Sequence, residues 1–114
     1  SDVNSNELLS EAYSDFINCK MLSERNSIRE KYISQSTQIK IEIISIERTF
    51  GIGISDTYRG GKTLIASCEG LEDFEIRLPQ SYDVGSLKPR LELDITVSIA
   101  DWNSVRKRLI LNYQ

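Results

Sequence analysis

The segment Gly51–Gly61, GIGISDTYRGG, places four glycines among eleven residues and is followed by Lys62-Thr63. Such a segment can cradle phosphate when bare backbone N–H groups and a lysine converge on the anion. The phosphate-loop spacing calls for glycine at position 56, where this chain has Asp56. The segment also leads into a strand pattern, whereas a phosphate loop leads into a helix. Ser55, Asp56 and Tyr58 could be imagined as a hydrolytic set, but no lysine is placed as a base beside the serine. Histidine is absent from all 114 residues, which removes the commonest general base and the commonest transition-metal ligand. The chain therefore reads as non-catalytic, with no cofactor.

Glu69, Glu72, Asp73 and Glu75 could offer oxygen to Ca²⁺, but EF-hand spacing is missing and a charge run at a turn reads as a solvated face, so no metal site is assigned. Cys19 and Cys68 form no C-x-x-C motif and read as two buried free thiols rather than a disulfide. Cations and aromatics are the remaining chemistry. Arg48, Tyr58, Arg59, Lys62, Arg77, Trp102, Arg106 and Arg108 are the candidate ligand-binding residues, because single-stranded nucleic acid needs cations for phosphates and rings on which bases stack. Tyr58-Arg59 and Trp102 are expected on loops that would flank one groove. Against that use, the strand holding Arg77 carries Asp73 and Glu75 and no outward aromatic. The same Tyr, Trp and Arg side chains suit protein recognition equally well.

Net charge is −3 with a pI near 5.0, which argues against strong non-specific binding to nucleic acid. Residues 86–114 nevertheless hold five basic and three acidic groups, enough for a local basic patch. Apolar runs are only a few residues long, so no membrane insertion is expected. The opening SDVNSNELL lacks the order of a signal peptide, and Ser1 in place of Met suggests an excised domain or processed product. Compartment and oligomeric state stay unassigned.

The elements that must carry these residues follow from periodicity. Asn4 and Glu7 have capping-box spacing, and Leu8, Leu9, Ala12, Tyr13, Phe16 and Ile17 make one helical face. A break is expected near Arg25–Asn26, with Ser27 and Glu30 capping a short second helix. From Thr37 the period becomes two, and its phase flips at Ile43–Ile44, as a β-bulge requires. Ile44 and Ile46 then join the inward set. Lys62–Cys68 predicts strand two, FEIRLP strand three, and RLELDITVSIA strand four. The segment QSYDVGSLKP has room for one helical turn at most. Asp101-Trp102-Asn103 predicts a hairpin loop, after which Val105, Leu109, Leu111 and Tyr113 return inward, with Arg106 opposite Ser98 and Arg108 opposite Thr96.

The expected fold is mainly β with N-terminal helices: a helical arm (1–35) leading into a five-stranded OB-like β-barrel (36–114), together one structural domain. An SH3-like barrel is the rival, and the length and bend of the first strand favour OB. NELLSEAY, REKYISQSTQIKIEIISIERTF and SLKPRLELDITVSI, in that order, resemble the bacterial OB domains of the tRNA-anticodon-binding-like group over Glu7–Leu111. The chain departs from that group in its long first connection and in Pro89, where a glycine turn is commoner. The resemblance implies a fold and transfers no functional residue. The expected function is a binding module for a protein partner, with single-stranded nucleic acid as the alternative.

Overall fold

The computed structural model describes residues 7–49 and 54–114. Asn4 of the expected capping box and the glycines at 51 and 53 lie outside the described residues.

Two helices, α1 (Glu7–Asn18) and α2 (Leu22–Tyr32), precede β1 (Ser36–Arg48), β2 (Lys62–Cys68), β3 (Leu71–Arg77), β4 (Glu92–Asn103) and β5 (Arg108–Tyr113). The strands close into a barrel in the order β1-β2-β3-β5-β4. β3 and β5 run parallel and all other neighbours antiparallel. This is an OB-like barrel with a helical arm.

β1 serves two partners because it bends. Its first half pairs with β4 from Ser36 to Glu42, and its second half pairs with β2 from Glu42 to Arg48. The register slips between Ile43 and Ser45, at the phase flip read from the sequence. Ile44 is itself the extra residue and stands 44% exposed, a correction to its expected inward place, while Ile46 packs on the core.

The helical arm differs from expectation. The break falls at Cys19–Met21, six residues early, because the Glu24 carboxylate accepts the free N–H groups of Lys20 and Met21, both at 3.0 Å. Ser27 sits inside α2 and its hydroxyl donates back to the Ser23 carbonyl at 3.1 Å, so it caps nothing. Strand three starts earlier than FEIRLP: the β2–β3 turn shrinks to Glu69-Gly70, with Gly70 at φ 90°. Between β3 and β4 there are only turns.

The core runs through the barrel and into the arm. Ile39, Ile41, Ile43, Leu64, Phe74, Ile76, Val97, Ile99, Leu109 and Leu111 are buried together with Leu9, Ala12, Phe16 and Tyr32. Cys19 and Cys68 are both free and only half-buried.

Candidate functional site

The C-terminal part of β4 controls where the candidate residues end up. A register slip between Ile99 and Asp101 turns Trp102 inward. The expected hairpin loop is therefore strand. Asn103 pairs with Arg108, Ser98 with Asn112, and the turn lies at residues 104–107, with Lys107 at φ 58°. Arg106 does not face Ser98, nor Arg108 Thr96, and Val105 is 89% exposed in the turn rather than inward.

Trp102 is 3% exposed. Its indole stacks on Phe16 of α1, and Tyr13 meets it edge-on with centroids 5.4 Å apart. The Trp102 carbonyl accepts Arg25 Nη2 of α2 at 2.8 Å. Arg25 Nε and Nη2 also donate to Asp101 Oδ1 at 3.1 and 2.9 Å, and that oxygen accepts the Trp102 N–H at 2.7 Å. Trp102 is thus the seat of the helical arm.

Tyr58 is committed as well. Its hydroxyl donates to the Tyr113 carbonyl at 2.9 Å, and Tyr82 packs edge-on against the Tyr113 ring at 4.9 Å. Burial pushes the Tyr58 hydroxyl above its ordinary pKa. The β1–β2 connection is pinned to β5 by this contact.

Two of the six candidate cations, Arg59 and Arg108, are ion-paired, and Arg77 is half-buried near two carboxylates. Arg108 Nε reaches Glu75 Oε2 at 2.7 Å, and Asn103 Nδ2 donates to the same oxygen at 2.8 Å. The Arg108 and Glu75 side chains are only 12% and 15% exposed, so this pair is shielded from salt. Arg77 is half-buried; desolvation lowers its pKa, partly countered by the Asp101 and Glu75 carboxylates. Arg59 pairs with Asp56 at 3.0 Å and donates to the Ile54 carbonyl at 3.2 Å.

Arg48, Lys62 and Arg106 are exposed and form no ion pair among the described residues, and Arg59 is exposed within its pair to Asp56. Arg48 and Lys62 face each other across the β1–β2 ladder at one end of the barrel. Arg106 sits at the other end, in the β4–β5 turn, beside Ser10, Tyr13 and Asp73. The eight candidates therefore form no continuous basic groove.

Sequence reasoning missed an apolar corner of the arm. Ile17, Met21 and Leu22 stand 40%, 64% and 70% exposed where α1 turns into α2. The only signal for it was the weakening of the helical period through NCKMLSERN, where large apolar residues continue without an inward phase.

The arm also holds a polar knot in which the buried Tyr32 reaches more exposed carboxylates. The Tyr32 hydroxyl lies 2.7 Å from Asp15 Oδ2 and 2.9 Å from Glu11 Oε1, and Lys31 Nζ reaches the same carboxylates at 3.3 and 3.4 Å. Burial and these two acids push the Tyr32 hydroxyl far above its ordinary pKa. Among the described residues, no helix is long and apolar enough to cross a membrane, and no cluster of three or more His, Cys, Asp or Glu is placed to hold a metal ion.

No family model, no curated protein and no solved structure matches the chain.

Proposed function

We propose that this chain is a non-catalytic OB-type binding module that recognises protein within a larger protein or assembly. The observation that carries this reading is the fate of the aromatics. Tyr58 and Trp102, the rings offered for base stacking, are both engaged inside the fold, while Ile17, Met21 and Leu22 form an exposed apolar corner. Clustered exposed apolar side chains rimmed by polar ones are a usual mark of a protein contact. We extend to the chain, as a proposal, the kinship with the bacterial tRNA-anticodon-binding-like OB group; the strand order and bent first strand support it, and it adds no ligand.

The second reading is single-stranded nucleic acid, favoured by Arg48 and Lys62, exposed and directly opposite each other. A fluorescence-anisotropy titration with short labelled single-stranded DNA and RNA, at low and physiological salt, decides between the two. The protein reading expects no binding at physiological salt. Saturable binding that weakens with salt and is lost in Arg48→Ala/Lys62→Ala would replace it with the nucleic-acid reading.

A further inference from the structure

The N-terminal half of β1 has an open edge. Ile43 N donates to the Leu91 carbonyl at 2.9 Å and Arg90 N donates to the Ile43 carbonyl, so Ile43 turns its main-chain groups toward the β4 side. Main-chain direction alternates along a strand, so Gln38, Lys40 and Glu42 turn theirs the opposite way. Glu42 finds Ser67 of β2 there. β2 ends at Cys68, and among the described residues no strand lies beside Gln38 and Lys40. Both residues are exposed. Among the described residues this stretch of β1 has no strand neighbour on that side, and such an edge is one another chain can template on.

A groove lies over this edge. Residues Gln38–Glu42 form its floor, Glu92 and Asp94 of β4 one wall, and Ser67–Glu69 the other. Its rim is acidic: Glu42, Glu69, Glu92 and Asp94 stand against Lys40, which pairs with Glu92 at 3.4 Å. Glu42 and Glu92 are directly opposite each other across β1 and β4, a like-charge pairing that costs stability unless a cation offsets it.

We propose that this groove binds an extended peptide carrying alternate lysine or arginine residues, which adds as a strand beside Gln38 and Lys40. Main-chain hydrogen bonds supply the affinity and the carboxylate rim supplies the selection for basic side chains. A second copy of this chain is the disfavoured occupant, because pairing the two edges would bring two acidic rims together. The proposal rests on the protein-binding reading and names the partner's chemistry.

The test is an NMR titration of the full ¹⁵N-labelled chain with the peptide Ac-Lys-Val-Lys-Val-Lys-NH₂, and with its Glu-for-Lys counterpart. The expected result is saturable shifts centred on the Gln38 and Lys40 amides, slowed exchange of those amides, and no response to the acidic peptide. Gln38→Pro removes a donor that faces away from β4 and leaves the barrel ladder intact, so it should weaken binding about tenfold. Glu42→Gln/Asp94→Asn, which keeps the backbone untouched, should weaken it about fivefold or more. No shift at millimolar peptide, shifts centred on another surface, or equal binding of the acidic peptide would overturn the proposal. If the peptide fails while oligonucleotides also fail to bind, the groove is wrong and the protein reading stands. If oligonucleotides bind, the reading itself falls.

Discussion

The indole of Trp102 lies flat on the ring of Phe16, 5.6 Å between centroids and 5° between planes. One ring comes from the second-last strand and the other from the first helix, and both are buried. Trp102→Ala should cost about 3–5 kcal/mol, because it deletes the largest side chain at the seat of the arm and leaves a cavity. Urea unfolding is the measurement, and a loss below about 1 kcal/mol would mean that the arm does not depend on this stack.

The two arginine–carboxylate pairs should behave differently. Glu75→Gln leaves the Arg108 guanidinium shielded and uncompensated, and should destabilise by about 2–4 kcal/mol with little salt dependence. Arg25→Ala at the more open Asp101 pair should cost less, about 1–2 kcal/mol. Thermal melts at low and high salt check both; the reverse ranking would contradict the exposures.

Alkaline pH should unfold the protein early. Tyr32, Tyr58 and Tyr82 all have their hydroxyl pKa raised by burial, with the neighbouring acids adding to the effect at Tyr32. An unfolded tyrosine loses its proton near pH 10. Above that pH the folded chain binds more protons than the unfolded one, so stability falls as pH rises. The contribution is fully present below about pH 10 and is lost above it. Tyr32→Phe should flatten the decline in a series of urea melts from pH 8 to 11; an unchanged slope would show that Tyr32 is not its main source.

Gly61 should tolerate no side chain. A Cβ there would overlap the Leu78 carbonyl oxygen, held where Leu78 N donates to the Lys62 carbonyl at 2.8 Å. Gly61→Ala should cost about 1–3 kcal/mol by forcing β2 and the end of β3 apart. A urea midpoint equal to that of the parent would show that the backbone yields freely.

Cys68 should react slowly. Burial and the Glu69 carboxylate push its thiol pKa up, so less thiolate is present at neutral pH than for a free cysteine. In a Cys19→Ser background, the folded protein should react with a thiol reagent more slowly than the same chain in denaturant. Equal rates would place the thiol in open solvent.

Much of the barrel is legible in the sequence because its strands are half-buried and alternate. Ile39-Ile41-Ile43 and Leu93-Ile95-Val97-Ile99 announce themselves, and the bulge at Ile44 is visible because isoleucines mark the phase on both sides of it. The slip at the end of β4 is silent. Ala100 is too small to mark a phase, and after Asp101 no apolar run follows to show the new one, so Trp102 looks like a loop residue. The candidate site suffered from the same gap. Arg108 looks free in sequence because its partner Glu75 lies 33 positions away and meets it only through the parallel β3–β5 pairing. The helix break misled for a local reason: Ser27-x-x-Glu30 has capping spacing, yet the working carboxylate is Glu24.

The place of β5 between β3 and β4 also dictates an order of events on the ribosome. β1 to β4 can emerge and pair in part, but the sheet stays open until the last strand leaves the exit tunnel. Arg25 must wait for a partner 76 residues downstream, and Phe16 for Trp102. Until then the arm's apolar face has nowhere to go. Within this domain the arm precedes the strands it docks on, so its apolar face stays exposed until β4 and β5 have emerged, a natural target for a chaperone.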